Sequence, residues 1–291
     1  MKQASYIVDS HVHFWDRSRL EYRWLAEEQS HLAMDHLPAQ LRAAGGDVDG
    51  LVFIQADCRD DQGFDEASWV HELAEQGVPV LAVVAHAPLE TDAAARRLDE
   101  LTALPLVRGI RRLLQDEKPG FAVAPAFIDG VRLLAAHDFT FDLCVREHQL
   151  RECLELTARV PEVTFILDHF SKPNVSAGNN FGEWSVLIDE LASRPNVLCK
   201  LSGLGNEAQP QDRTMAAFRP WIEHAITAFG ADRCMYGSDW PVLTLATSYV
   251  DWLEIISTIA SELTEHERDL IMAGTALITY GREVGGHEPA R

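Results

Sequence analysis

The sequence predicts an α/β protein folded as a single (β/α)8 TIM barrel, on three observations. Short apolar runs rich in β-branched residues recur eight times, and stretches of helical periodicity lie between them. Strand follows helix at spacings of roughly 25 to 45 residues, which is the rhythm of repeated βα units. The runs are apolar on both faces, as parallel strands covered on both sides must be. A doubly wound open sheet is the competing arrangement. Neither GxGxxG nor a Walker-type GxxxxGK loop occurs, so the phosphate-cradling turn of such sheets is missing and no nucleotide cofactor is expected.

Taken in chain order, the strands are expected at Tyr6 to Phe14, Gly50 to Ala56, Val78 to Ala85, Val107 to Leu113, Thr140 to Val145, Val163 to His169, Asn196 to Gly203 and Arg233 to Ser238. DEASWVHELAEQ, PAFIDGVRLLAAH, REHQLRECLELTARV, FGEWSVLIDELASR and FRPWIEHAITAFG place apolar residues three or four apart, and most close at Gly, Pro or Asn, so they read as helices. No linker, repeat or composition break divides the chain. Residues 1–291 read as one domain with a loose tail from about 281 to 291.

With 45 acidic and 25 basic residues among 291, the formal charge is −20. Such a chain repels polyanions, so neither nucleic acid nor an anionic membrane is an expected partner. The 47% hydrophobic content is enough for a substantial core. No apolar run has the length of a membrane span and the first residues lack a secretory pattern, so a cytoplasmic protein is expected. Cys58, Cys144, Cys153, Cys199 and Cys234 form no CxxC pair and read as reduced, buried thiols.

Chemistry concentrates at predicted strand ends. In DSHVHFWD, His11 and His13 are two apart on a strand, so both rings face one side, and in a closed barrel that side is the interior. TFIL ends in Asp168 and His169; CMYG is followed by Ser238 and Asp239. Burying such groups costs several kcal/mol unless they have partners. All strand C-termini of a barrel share one rim, so His11, His13, His169 and Asp239 are expected to meet there.

These strings resemble the amidohydrolase superfamily, whose signature is HxH after the first strand, His after the sixth and Asp after the eighth. DSHVHFWD with YRWL, VFIQAD, GIRRLLQDE, FDLCV, FILDHFSKP, NVLCKLSGL and RCMYGSDWPV are similar to its sugar-lactone hydrolase branch, fuconolactonase-like and rhamnonolactonase-like, related to pyrone-dicarboxylate lactonases. The resemblance runs from the first predicted strand to the eighth, over nearly the whole chain, and implies a small-molecule lactone substrate. The binuclear pattern asks for Lys or Glu on the fourth strand and His on the fifth. Here Arg111 and Arg112 stand on the fourth and Asp142 on the fifth, which leaves ligands for one ion at most: His11, His13, His169 and Asp239, in nitrogen and oxygen coordination suited to zinc or manganese. Related lactonases that work without metal, through cationic side chains, keep the alternative open.

The expected roles are then as follows. Asp239 takes a proton from water and returns it to the departing alkoxide, His169 orients the carbonyl or the water, and the oxyanion is steadied either by a metal held by the histidines or by protonated His and Lys200 or Arg111. Arg111, Gln55, Asp142 and Lys172 are candidate substrate contacts, with Asp142 alternatively orienting Arg111 or Lys200. Trp15, Trp24 and Trp240 are candidate walls for a sugar ring. His31, His36, His71, His86, His137, His148, His224 and His287 lack partners at ligand spacing and read as surface or core. A metal-dependent decarboxylase and a non-catalytic sugar-acid-binding barrel are the rival functions, and a homo-oligomer is left open.

Overall fold

The computed structural model describes residues 6–26, 30–177 and 181–281. Eight parallel strands lie in the order β1 to β8: Val8–Val12, Gly50–Ile54, Val80–Ala85, Val107–Ile110, Thr140–Leu143, Phe165–Leu167, Val197–Leu201 and Cys234–Tyr236. All eight fall inside the expected runs. Seven end early because the backbone leaves its ladder at the rim, where the functional side chains begin, while β3 keeps its expected end at Ala85 and starts two residues late. The sixth run departs most. Its ladder stops at Leu167, and His169 to Lys172 form a left-handed turn with φ of 53°, 55°, 62° and 53°.

The connecting helices are α1 (Pro38–Ala43), α2 (Gly63–Glu75), α3 (Ala94–Leu101), α4 (Pro125–His137), α5 (Leu150–Arg159), α6 (Phe181–Ala192), α7 (Met215–Phe229) and α8 (Tyr249–Ala260), followed by α9 (Glu265–Asp269) and α10 (Thr275–Tyr280). α7 begins three residues before its apolar stripe, because the Thr214 side chain accepts the Ala217 N–H and sets the start. The expected tail lies outside the described residues apart from Gly281, as does His287.

Strand alternation divides the core. Leu51, Phe53, Phe141, Phe165, Leu167, Cys199 and Leu201 face the helices, while Val8, Val52, Ile54, Val84, Ile166, Leu198 and Met235 fill the lower barrel. Ala273, Ala276 and Tyr280 close it from below. Each such buried aliphatic or aromatic side chain contributes about 1.5–3 kcal/mol. All five cysteines are buried and free, as their apolar settings predict. Among the described residues no helix is long and apolar enough to cross a membrane.

The cylinder closes between β8 and β1 without a regular ladder. At the rim, the His13 N–H donates to Trp240 O (2.8 Å) and the Asp239 N–H to His11 O (2.9 Å). Below them Asp9 substitutes for the ladder. Its carboxylate accepts the N–H groups of Ser238 and His11 and the Tyr249 hydroxyl. The seam therefore fixes the backbone of the residues on which the site depends.

Candidate active site

His11, His13, His169 and Asp239 meet at the C-terminal rim; His13, His169 and Asp239 line a cavity of about 280 Å³, and His11 lies buried behind them. His11 Nε2 lies 3.2 Å from His13 Nε2. Asp239 Oδ1 is 3.6 Å from His11 Nε2, 3.3 Å from His13 Nε2 and 3.8 Å from His169 Nε2. Each ring is oriented through its other nitrogen: His13 Nδ1 donates to Ile54 O (2.8 Å), His169 Nδ1 pairs with Ser202 Oγ (2.8 Å), and His11 Nδ1 lies 3.3 Å from Asp168 Oδ1. Gly203 makes room for this. It has φ +69°, and a Cβ there would lie 2.6 Å from His169 Nδ1.

Burial holds all three imidazoles below their usual range, His169 at about 4, so they are neutral near pH 7. Burial works to raise the Asp239 carboxyl too, but the histidines around it hold it well below the carboxylate range.

The donor set fits a divalent ion. With Nδ1–H of His13 committed to a carbonyl, its Nε2 lone pair faces His11 Nε2 across 3.2 Å, an arrangement that a shared cation relieves. The separations within His11, His13 and Asp239, 3.2–3.6 Å, match the edges of one face of a tetrahedron with ~2.1 Å bonds, about 3.4 Å, while His169 Nε2 approaches that face from the Asp239 side. The outward anchoring of each imidazole is the support that metal-ligating histidines receive. Charge points the same way: Arg111 and Lys200 are the buried cations of the barrel interior, against Asp142, Asp168 and Asp239. His11, His13 and Asp239 form one candidate triad, and His11, Asp168 and His169 another.

The remaining expected residues divide into lining and support. Arg111, Lys172 and Trp24 line the cavity, as do Trp15 and Asp57. Trp15 and Trp24 meet edge-on at 5.2 Å, and Lys172 donates to Gln115 Oε1, bridging the loops after β4 and β6. Lys200 and Asp142, expected at the site, sit beneath the cavity and do not line it. A desolvated ammonium needs carboxylates, and Lys200 finds Asp142 in direct contact and Asp168 Oδ1 at 3.3 Å. Trp240 is also withdrawn, packed on Phe14 and His36. The Gln55 side chain turns aside, its Oε1 accepting the Asp57 N–H (2.6 Å), while its main-chain carbonyl accepts from Arg111.

Asp168 is the residue whose position the sequence reading leaves without a role. It stands 3.3–3.4 Å from His11, Arg111 and Lys200 at once. Its adjacency to His169 at a strand end is the available signal. Gln115 and Asp116 also line the cavity, and they lie in a loop with no periodicity to mark them.

An eight-stranded parallel barrel with three neutral imidazoles and a carboxylate converging on its C-terminal rim defines a barrel enzyme whose rim carries side chains that could hold a metal ion. The amidohydrolase family model matches residues 8–282, and the chain belongs to that family. It is 34% identical to an L-fucono-1,5-lactonase of Burkholderia multivorans, over 94% of this chain and 95% of that protein. An L-rhamnono-gamma-lactonase of Scheffersomyces stipitis is 24% identical over 87% of this chain and 91% of its own. A crystal structure of a Burkholderia multivorans amidohydrolase with bound zinc, 33% identical, superposes with a TM-score of 0.85 over 94% of this chain and 99% of that one.

Proposed function

We propose that the protein hydrolyses the lactone of a sugar acid to the open hydroxy acid, with Asp239 as the proton-transfer group. The observation that carries this reading is the Asp239 carboxylate on the cavity floor, ionised and ringed by three neutral imidazoles. The similarity to two curated sugar-lactone hydrolases supports the substrate class.

The three histidine contacts of Asp239 fall on Oδ1, which leaves Oδ2 to take a proton from water as that water attacks the ring carbonyl. The carboxyl then returns the proton to the departing ring oxygen. The Arg111 guanidinium, anchored by Gln55 O, offers hydrogen bonds to the developing oxyanion. His169 orients the water. The Trp15 and Trp24 pair forms an apolar wall for the ring, and Asp57, Gln115 and Lys172 offer partners to its hydroxyls. Asp57, Asp116 and Asp239 balance Arg111 and Lys172 around the cavity, which favours a neutral ring over the carboxylated substrate of a decarboxylase.

His11, His13, His169 and Asp239 would hold one divalent ion, zinc or manganese by their donor chemistry. When bound, it supplies Lewis-acid polarisation of the carbonyl.

A panel of aldonolactones followed with a pH indicator, with and without chelator and added zinc, tests the function. Acid release from at least one neutral aldonolactone is expected, and inert behaviour across the panel in every metal condition would overturn the reading. Asp239→Asn is expected to lower turnover at least 1,000-fold while ligand still binds, in line with the loss of a proton-transfer group; unchanged turnover would remove Asp239 from that role.

A further inference from the structure

We infer that Arg111 is a built-in competitor of the divalent ion, so that this chain holds its metal weakly by design and its affinity is set by the guanidinium. The inference rests on the ion-binding half of the preceding reading and is independent of which lactone is opened.

Arg111 Nη1 lies 3.4 Å from His11 Nε2, the same nitrogen that faces His13 and Asp239. With Nδ1 of His11 turned to Asp168, that Nε2 carries the lone pair an ion would use. A guanidinium has donors only, so its approach to an imidazole nitrogen is a claim on that lone pair. The same Nη1 lies 3.4 Å from Asp168 Oδ2, and Nη2 donates to Gln55 O at 2.5 Å. Both candidate triads use His11, and the second also uses Asp168. One guanidinium therefore touches a ligand of each.

Arg111 has no route out of the way. It is 4% exposed and held by partners on β1 and immediately after β2 and β6, unlike Arg112, which turns outward to Glu90 and Glu117. A guanidinium stays charged at every relevant pH, so the competition is permanent. A fixed positive charge 3.4 Å from a candidate ligand nitrogen would repel a divalent ion held there even at an effective dielectric near 20. The same cation offsets part of the carboxylate excess, so the site remains organised before any ion arrives.

The test is metal affinity rather than turnover. Zinc and cobalt(II) dissociation constants are measured on the full chain by competition with a chromophoric chelator, and cobalt coordination is followed by its visible absorption. Arg111→Met is expected to bind both ions at least tenfold more tightly than the parent. Arg111→Gln, which keeps polar bulk, provides a second variant should Arg111→Met fail to fold, with the same expectation. Arg112→Gln removes an equal charge nearby and should stay within twofold of the parent. Equal or weaker binding in the folded Arg111 variants overturns the competition, as does a comparable gain in Arg112→Gln. Absence of ion binding in the parent and all variants overturns the ion-site reading itself, and the competition with it.

Discussion

Asp9 and Ser238 join the first and last strands: Oδ1 of Asp9 accepts the Ser238 N–H at 2.8 Å where the two strands form no ladder. The same oxygen accepts the His11 N–H at 3.1 Å. Asp9→Ala leaves two buried N–H groups without an acceptor, at about 1–3 kcal/mol each, and should lower stability by roughly 3 kcal/mol. Asp9→Asn, which keeps an acceptor, should cost less. Urea unfolding of both variants checks the order, and equal losses would show that the seam does not depend on the acceptor.

Acid should weaken the metal-free fold through its histidines. Burial lowers the His169 imidazole from 6.5 to about 4, so the unfolded chain binds that proton first. Stability therefore falls as pH drops from 6.5 towards 4, by on the order of 3 kcal/mol for this group alone. Unfolding free energies of chelator-treated protein across that window, compared with His169→Asn, should show a flatter profile in the variant.

Glu66 should act in the opposite direction. It projects from α2 to the Ala56 N–H, and burial raises it from 4.5 to about 8. The folded state holds this proton longer than the unfolded chain, so its contribution is complete below 4.5 and is lost as pH rises through 8. Glu66→Gln keeps an acceptor and cannot ionise. It should gain on the parent by up to roughly 5 kcal/mol at pH 9 and match it near pH 4.5; parallel stability profiles would refute the buried proton.

Gly203→Ala should injure the site more than the fold. The left-handed backbone and the 2.6 Å approach to His169 Nδ1 leave no space for a methyl group. We expect a stability loss of about 1–2 kcal/mol. The larger effect should be a fall of at least tenfold in kcat/KM, about 1.4 kcal/mol, as the ring is pushed off Asp239. Normal turnover in a folded variant would mean that the ring has slack.

The barrel was legible because its signal is redundant: eight apolar runs each report burial on two faces. His11, His13, His169 and Asp239 were legible because period-two spacing and strand-end position decide where a side chain points. Depth along a strand is harder to read. Lys200 and Asp142 face the interior as alternation requires, yet they lie under the cavity, since strand stagger and length decide which interior layer meets solvent. Trp240 follows a site residue but packs away from the cavity, because adjacent positions diverge at a turn. Asp168 gains its meaning from Arg111 and Lys200, which are 57 and 32 positions away, and from His11, 157 away.

The closure of β8 on β1 also orders events in time. His11 and His13 emerge from the ribosome with the first thirteen residues, and Asp239 more than two hundred later. A nascent or C-terminally truncated chain lacking the eighth strand has no Asp239, so with Asp239 as the proposed proton-transfer group, activity would begin only at the final docking step.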